Sequence, residues 1–161
     1  MALNLYFRLI RVLLVALMRK RITSESLHNR VVTRIYPNDL DINLHVNNGR
    51  YLTLCDLGRI DLFIRSGLAR VMIREKWFPV VGSVAMKFIK PLHVFDRITI
   101  LSTVTHWDEK YFYSTHEIYR KEVLVSEGTS RSLVVSRTRG RVSPDEVVEA
   151  VNTYVGNADK H

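Results

Sequence analysis

The stretch "DLDINLHVNNGRY" (39–51) places two aspartates, a histidine and three asparagines between apolar neighbours. The segment before it, "VVTRIY" (31–36), alternates and is rich in β-branched residues, which is typical of a strand. After it, apolar residues recur at spacings of three and four as far as Ser66, which predicts a helix. Asn47 is a favoured residue to cap the start of this helix, and Gly67 is a favoured residue to end it. The stretch therefore connects a strand to one long helix.

The second half of the chain is predicted to be β-structure. Beyond Pro79, segments of alternating or β-branched residues are separated by turns, as at 108–110. The predicted strands comprise residues 80–90, 97–107, 111–120 and 123–136. The segment at 68–79 fits either a short second helix or an irregular crossing.

A short helix is predicted at the C-terminal end. Ser143 and Glu146 have the spacing of a capping box, Pro144 stands at the first helical position, and Gly156 stands at the close. We therefore divide the chain into an amphipathic N-terminal helix (1–22), a central domain (23–142), and a C-terminal helix and tail (143–161).

One long helix beside five antiparallel strands restricts the architecture. Such a sheet has one apolar face to bury, and the helix covers that face if the sheet curves around it. We therefore predict an α+β fold in which a curved antiparallel sheet wraps around one central helix. Its edge strands would remain unpaired, and association with further copies is the usual remedy, so a homodimer or homotetramer is expected.

Composition narrows the class of partner. A chain of 161 residues fits one domain, and its one cysteine, Cys55, excludes an intrachain disulfide and a zinc site built on cysteines. A lone cysteine fits a reducing, cytoplasmic compartment. The formal charge of +8 indicates anionic partners, but no nucleic-acid-binding motif accompanies it, so nucleic acid is not expected. The histidines lack metal-ligand spacing, and neither a metal nor another cofactor is expected.

The N-terminal segment, "MALNLYFRLIRVLLVALMRKRI" (1–22), combines apolar and basic residues. Asn4, Arg8 and Arg11 interrupt it, so its longest apolar run falls short of the roughly 20 residues that span a membrane. These polar residues share one narrow stripe of a helix. Two uses remain open for a basic amphipathic helix: contact with an anionic membrane through residues 1–21, or packing on its own domain or a partner subunit. An uncleaved membrane anchor is a third.

In motif and element order the chain resembles the hotdog-fold acyl-CoA thioesterases of the 4-hydroxybenzoyl-CoA thioesterase type. The resemblance in element order runs from about Val31 to Ser136. The matching motif residues are Asp39, Asp41, His45, Val46, Asn47, Asn48 and Tyr51. The N-terminal and C-terminal helices lie outside this common core. They are similar to the membrane-associated branch called thioesterase superfamily member six-like proteins.

This resemblance implies hydrolysis of an acyl thioester and assigns roles to the motif. Asp41 matches the family's catalytic carboxylate, which acts as a nucleophile or as a general base on water. Backbone N–H groups from Val46 to Asn48 would polarise the thioester carbonyl at the start of the helix. His45 would orient the substrate or the loop. Asn47 would cap the helix, and Asn48 would orient the substrate or the attacking water.

The chemistry of the residue types is compatible with these roles. Thioester hydrolysis needs a base or nucleophile beside the carbonyl carbon and donors where the oxyanion develops. A helix N-terminus supplies unpaired N–H groups and a partial positive charge. Apart from the resemblance, Asp41 equally fits the acceptor of an Asx turn, Asp39 a turn or capping residue, and Tyr51 a core or interface residue.

The substrate contacts that we expect are Val46, Tyr51, Arg137 and Arg139. The two arginines belong to "SRTRGR" (136–141) and fit either the phosphates of coenzyme A or an edge strand kept soluble by charge. The acyl carrier is coenzyme A or acyl carrier protein. A non-catalytic lipid-binding or scaffolding protein, docked by its N-terminal helix, is the alternative from another class.

Leu44 departs from the family pattern. Many relatives have glycine immediately before the histidine, and a leucine adopts a positive φ angle less readily than glycine does. We therefore expect the loop to have a different shape here. On the helix, Asp56 and Asp61 are expected to form salt bridges or to be solvated, although some hotdog enzymes carry the catalytic acid on that helix.

Overall fold

The computed structural model describes residues 3–22 and 27–158. Within them lie four α-helices, six strands and a single 3-10 turn at Pro37–Asp39. The helices are α1 (Leu3–Met18), α2 (Asn48–Arg65), α3 (Leu68–Glu75) and α4 (Pro144–Ala158). The strands are β1 (His28–Arg34), β2 (Trp77–Phe88), β3 (Arg97–Trp107), β4 (Phe112–Arg120), β5 (Val123–Ser136) and β6 (Gly140–Val142).

The strands form one antiparallel sheet in the order β1-β3-β4-β5-β2, and β6 adds to β5. In its middle, Ile100 of β3 lies between Val31 of β1 and Ile118 of β4. β2 pairs with β5 along its length, and its other edge has no partner strand in the part of the chain described. The predicted fold class is confirmed: a curved antiparallel sheet with one long helix against it.

The central helix α2 packs on the sheet through a continuous apolar core. Leu54, Cys55 and Leu57 are fully buried there against residues of β1, β3, β4 and β5. Burial raises the pKa of the Cys55 thiol to about 12, so this cysteine is a packing residue without thiolate character at neutral pH. Gly58 permits the close approach to β3, because a Cβ atom there would overlap the Ser102 hydroxyl oxygen.

A second core lies beyond the C-terminal end of α2. There α3, α4 and the adjoining ends of the sheet bury a separate set of apolar side chains. The buried members are Val71, Met72, Trp77, Val134, Val142 and Val147. The Ser143 hydroxyl accepts a hydrogen bond from the Glu146 N–H at 3.3 Å, so it caps α4 as predicted. α4 therefore closes the end of the sheet that α2 leaves uncovered.

The N-terminal helix α1 packs on α2 and buries Arg8, Val12 and Ala16 against the domain. Arg8 is buried, and together with Arg11 and Arg19 it borders a small cavity between α1 and β1. The outward side of α1 is largely apolar and exposed; its apolar residues are Tyr6, Phe7, Ile10, Leu13, Leu14, Val15, Leu17 and Met18. The helix therefore faces the domain with Arg8, Val12 and Ala16, while most of its large apolar side chains face away from the domain.

Several predicted boundaries are wrong by a few residues. β2 begins at Trp77, so the start of the strand lies within the segment left open at 68–79, whose first part is the helix α3. α4 passes through Gly156 and ends at Ala158. The segment at 136–141, for which one interpretation is an edge strand, contains the start of β6 at Gly140, where the φ angle is positive at 78°. The boundary placed between residues 22 and 23 adjoins 23–26, and 159–161 belong to the predicted tail; both segments lie outside the described residues.

Candidate active site

The motif forms a tight loop between the 3-10 turn and α2. Leu40 and Val46 form an isolated antiparallel bridge, and the Asp41 N–H donates to the His45 carbonyl at 2.8 Å. Inside this small hairpin, the Leu44 N–H donates to the Asp41 carbonyl at 3.1 Å. The backbone therefore holds Asp41 at a fixed position relative to the start of the central helix.

Leu44 adopts the conformation that we expected it to avoid. Its φ angle is +60°, in the left-handed region, and its side chain is 71% exposed. The expectation of a loop reshaped to avoid a positive φ angle is therefore wrong. Three backbone hydrogen bonds around Leu44, including the pairing of Asp41 with His45, hold the turn and offset the cost to a leucine, which is about 1–2 kcal/mol.

Asp41 presents one carboxylate oxygen to its surroundings. Its Oδ1 accepts the Asn43 N–H at 2.8 Å, so an Asx turn forms, as one alternative predicted. No described residue donates to its Oδ2, and the side chain is half-buried. An Asx turn and a reactive carboxylate are compatible, because the turn engages only one of the two oxygens.

The first N–H groups of α2 are almost all engaged. The Val46 N–H donates to the Leu92 carbonyl at 3.0 Å, and the Asn47 N–H donates to the Asp39 carbonyl at 2.9 Å. The Gly49 N–H donates to the Asn47 side chain at 2.9 Å, which confirms Asn47 as the helix cap. Among the described residues, the Asn48 N–H has no acceptor. Among the backbone N–H groups of Val46, Asn47 and Asn48, which were expected to polarise a carbonyl, that of Asn48 is therefore the one free to bind a substrate oxygen.

His45 is exposed at the rim of the loop, next to a second histidine. Its ring stacks edge-on against His93, with the two ring centroids 5.0 Å apart. His93 follows the Leu92 carbonyl that binds Val46, so the segment after β2 forms the other wall of the site. Sequence analysis missed His93, because nothing in its surroundings signals a contact with a residue so far away along the chain.

Asp39 has two tasks, of which only one was predicted. Its carboxylate accepts the Tyr36 N–H at 2.8 Å, which is the expected turn-capping role. It is also bound by both terminal nitrogens of Arg8, and the two side chains are 2% and 6% exposed. Arg8 Nη2 donates in addition to the Arg34 carbonyl at 2.6 Å. α1 is thereby attached to the base of the candidate catalytic loop.

Two expected substrate contacts lie in the core. The side chains of Val46 and Tyr51 are 3% and 2% exposed, and Tyr51 packs edge-on against Phe88 with ring centroids 4.9 Å apart. Burial raises the pKa of the Tyr51 hydroxyl, in keeping with an apolar environment. A core role therefore replaces the direct substrate contact that we expected of these side chains.

The two arginines are far from the loop within one chain. Arg137 and Arg139 follow β5 at the end of the sheet where β2 begins, while the loop lies near the other end of β2, next to Phe88. The length of β2 separates these ends by about 36 Å. The guanidinium of Arg137 stacks on the Phe78 ring at 5.6 Å, and Arg139 pairs with Glu146 at 2.8 Å.

The acidic residues of α2 have structural partners. Asp56 pairs with Arg59 at 2.5 Å on the helix surface. Asp61 is buried and accepts hydrogen bonds from Asn29 at 2.8 Å and from Arg65 at 3.4 Å. The predicted salt bridges are confirmed, and the candidate carboxylate of the site remains Asp41.

A buried polar cluster on the sheet was also missed. His116 of β4 lies between the hydroxyls of Ser102 and Ser130, at 3.0 Å from each. Burial, and secondarily the charge of Arg59, lower the pKa of His116 to about 4. It is therefore neutral at physiological pH and holds three strands together. The alternation of the strands shows which face these residues share, but their mutual contacts depend on the register.

Comparison with known proteins places the chain in a family. The model of the thioesterase-like superfamily matches residues 35–151. Protein THEM6 of Xenopus laevis is 29% identical over 119 residues, which are 73% of this chain and 55% of that protein. Protein THEM6 of Danio rerio is 28% identical over 132 residues, 81% of this chain and 61% of that protein. The chain thus spans little more than half the length of these relatives.

Solved structures agree with the fold. The crystal structure of YbaW, a probable thioesterase from Escherichia coli, matches with a TM-score of 0.70 at 19% sequence identity, covering 76% of this chain and 95% of that one. In residues 3–22 and 27–158, each helix is too short or too polar to cross a bilayer.

Proposed function

This chain belongs to the thioesterase-like superfamily, and we propose from this that it hydrolyses acyl-CoA thioesters to the free acid and coenzyme A. One observation carries the proposal. The unpaired Oδ2 of Asp41 and the free N–H of Asn48 belong to the same closed loop, at the N-terminus of the central helix. A carboxylate and an oxyanion donor are the two groups that this reaction needs.

In the proposed reaction, the thioester oxygen accepts the Asn48 N–H. The partial positive charge at the start of α2 stabilises the negative charge that develops on this oxygen. Asp41 either removes a proton from the attacking water or attacks the carbonyl carbon itself and forms an anhydride that water then cleaves. In both cases the carbon–sulfur bond breaks, and the coenzyme A thiolate leaves and takes up a proton.

Other motif residues support this centre in the proposal. Asn47 keeps the helix start in place through its bond to Gly49, and the side chain of Asn48 orients the substrate or the attacking water. His45, whose ring packs edge-on against that of His93, orients the substrate at the rim of the loop. Neither imidazole hydrogen-bonds to Asp41 among the described contacts, so Asp41 is the sole base that we assign.

We further propose that the active form is a homodimer joined through β2. The outer edge of this strand carries exposed apolar residues, including Val80, Val81 and Phe88. Pairing two copies in antiparallel fashion along this edge satisfies its N–H and C=O groups. It also sets the Arg137 end of one subunit beside the Asp41 end of the other, where Arg137 and Arg139 would meet the phosphates of coenzyme A.

The outward side of α1 supports a peripheral membrane contact. Eight apolar side chains of this helix are exposed, from Tyr6 to Met18, while Arg8 is buried against the domain. Lys20 follows the helix and is exposed, where it would meet anionic headgroups. We propose that α1 lies in the plane of the membrane interface and holds the enzyme next to membrane-derived acyl-CoA.

The decisive experiment measures free thiol released from acyl-CoAs of increasing chain length. We expect turnover by the unmodified protein and a loss of about 10²–10⁴ in kcat for Asp41→Asn and Asp41→Ala. Glu122→Gln, which removes an exposed carboxylate from the turn between β4 and β5, is the matched control and retains full turnover. Single turnover in ¹⁸O-labelled water, followed by cleavage and mass analysis of the loop, distinguishes an Asp41 nucleophile, which gains label, from a general base, which does not.

Two results would contradict the proposal. Undiminished turnover in both Asp41 variants would remove Asp41 from the reaction. A folded protein without turnover on any acyl-CoA would favour acyl carrier protein as the carrier if acyl carrier protein thioesters are cleaved, and otherwise a non-catalytic lipid-binding or scaffolding protein.

A further inference from the structure

Two cavities lie along α2 on the side that faces β2. The first, about 350 Å³, lies between α1, α2 and β2, and Leu9 and Ile60 belong to its apolar lining. The second, about 360 Å³, lies beneath α4, and Leu62 and Val151 belong to its apolar lining. Each has the size of a typical small-molecule site.

The two cavities adjoin each other. Arg59, Phe63, Pro79 and Ser132 border both, so a ligand in the first can continue into the second. Of the described residues that border them, only Arg59 and Asp56 are charged, and these two form an ion pair with each other at 2.5 Å. The passage therefore offers mainly apolar walls, which suit a hydrocarbon. Its one guanidinium is paired with Asp56, although the buried Arg59 Nε has no hydrogen-bond partner among the described residues.

The first cavity begins close to the candidate active site, although no residue of 39–51 borders either cavity. Thr53, at its near end, follows Asn48 by five residues, or about 7.5 Å along the helix. Arg59, at the junction, is about 16 Å from Asn48, and Phe63, beside the second cavity, is about 22 Å from it. A thioester held at Asn48 can direct its chain along this path.

We propose that the two cavities together hold the hydrocarbon chain of the substrate, so that the enzyme acts on long-chain acyl thioesters. An extended chain of tetrahedral carbons advances about 1.2 Å per bond, so about 14 carbons reach the junction and about 18 enter the cavity beneath α4. Chains of eight carbons end in the first cavity. This inference rests on the proposed thioesterase function and adds the chain length to it.

The N-terminal and C-terminal helices thereby acquire a role in specificity. Leu5 and Leu9 of α1 form part of the wall of the first cavity. Valines of α4 form the wall of the second; they are Val147, Val148, Val151 and Val155. Filling the second cavity should therefore shorten the accepted chain and leave the chemistry unchanged.

The test compares kcat/KM on acyl-CoAs of 8, 12, 16 and 18 carbons. Val151→Trp fills the second cavity, and we expect it to lower kcat/KM on the 16- and 18-carbon substrates at least tenfold, because each methylene that is no longer buried is worth about fourfold. Turnover of the 8-carbon substrate stays unchanged. Thr53→Trp, at the near end of the path, lowers turnover of all four. Thr153→Trp, on the exposed side of the same helix, changes none.

Val151→Phe is the milder variant if the tryptophan prevents folding, and thermal unfolding verifies that each variant folds. The proposal is overturned if folded Val151→Trp leaves turnover of the 16-carbon substrate unchanged, or if it lowers the 8- and 16-carbon substrates equally. If the unmodified protein cleaves none of the thioesters, the function fails, and calorimetric titration with 16- and 8-carbon fatty acids tests the cavities alone. If Val151→Trp loses binding of the 16-carbon fatty acid but not of the 8-carbon one, the assignment of the cavities is supported. If the unmodified protein does not bind the 16-carbon fatty acid, that assignment is refuted.

Discussion

The guanidinium of Arg8 and the carboxylate of Asp39 form a buried ion pair between residues that are 31 positions apart in the sequence. Through Asp39 this pair reaches Asn47, because the Asp39 carbonyl accepts the Asn47 N–H at 2.9 Å. The position of α1 and the cap of α2 are thus determined by the same residue. Asp41 is two residues further on, so the docking of the N-terminal helix and the geometry of the candidate site are linked.

Replacing Arg8 should strongly destabilise the fold. Arg8→Met leaves the buried Asp39 carboxylate with Arg50 Nε, 4.0 Å from Oδ1, as its nearest remaining cation among the described residues. We expect this loss to lower the free energy of unfolding by about 3–5 kcal/mol in urea titrations. Arg11→Met removes an exposed arginine of the same helix and should cost less than about 0.5 kcal/mol. Adding Asp39→Asn to Arg8→Met should recover part of the loss, because the charge is removed. If Arg8→Met and Arg11→Met lower the free energy of unfolding equally, the ion pair between Arg8 and Asp39 contributes nothing to stability.

Leu44 should tolerate replacement by glycine. Glycine adopts the φ angle of +60° without steric cost but is more flexible when unfolded, so Leu44→Gly should change the free energy of unfolding by no more than about 1 kcal/mol. Leu44→Val introduces a β-branched residue into the same conformation and should be less stable than the unmodified protein and than Leu44→Gly. Urea titration and thiol release, measured together, test this. If Leu44→Gly folds but is inactive, the leucine side chain itself contributes to the reaction.

His116 should make stability depend on pH in a defined direction. Its pKa is about 4 in the folded protein and 6.5 when unconstrained, so between these values the unfolded chain binds the additional proton. Its contribution is complete above pH 6.5 and is lost as the pH falls towards 4, by about 3 kcal/mol in total. His116→Gln should flatten the pH profile of urea unfolding in this window, whereas exposed His106→Gln should not. A profile unchanged by His116→Gln would assign the acid sensitivity to other groups.

The outward face of α1 should bind lipid vesicles. Phe7→Ser combined with Leu14→Ser removes two exposed apolar side chains and should lower flotation with anionic vesicles at least tenfold without lowering thermal stability. Ile73→Ser, at an exposed position of α3, is the matched control. Point substitutions are preferable to deletion of residues 1–21, because the deletion also removes Arg8 from Asp39. Failure of the unmodified protein to float, or flotation of the double variant at the same level, would contradict the membrane contact.

The sequence predicted the elements of the central domain better than the contacts between them. Periodicity located α2 and the strands β3 and β5, because one face of each is buried and the pattern follows directly. The motif also located the loop, and Asn47 caps the helix as expected. A buried arginine could not be predicted, because its partner is fixed only by tertiary packing, and for this reason the membrane-facing and the domain-packed arrangement of α1 both stayed open.

The candidate site was predictable in part for the same reason. Asp41 and Asn48 are neighbours within one loop, so a local motif identifies both. His93 and the separation of Arg137 from the loop depend on the path of β2 and the segment after it, and local patterns contain no information about that path. Leu44 is a case in which a local preference misled the prediction. Leucine disfavours a positive φ angle, but the hydrogen bonds of the turn hold Leu44 in that conformation.

The pairing of Arg8 with a residue 31 positions later has a consequence for biosynthesis. α1 emerges from the ribosome before Asp39 does, and at about 5–20 residues per second this delay is about 2–6 s. During that interval the helix has no domain to dock on, and both of its sides are exposed to the surroundings of the nascent chain. The helix can therefore meet a membrane surface before it meets its own domain, and the order of synthesis itself would favour delivery of the protein to lipid.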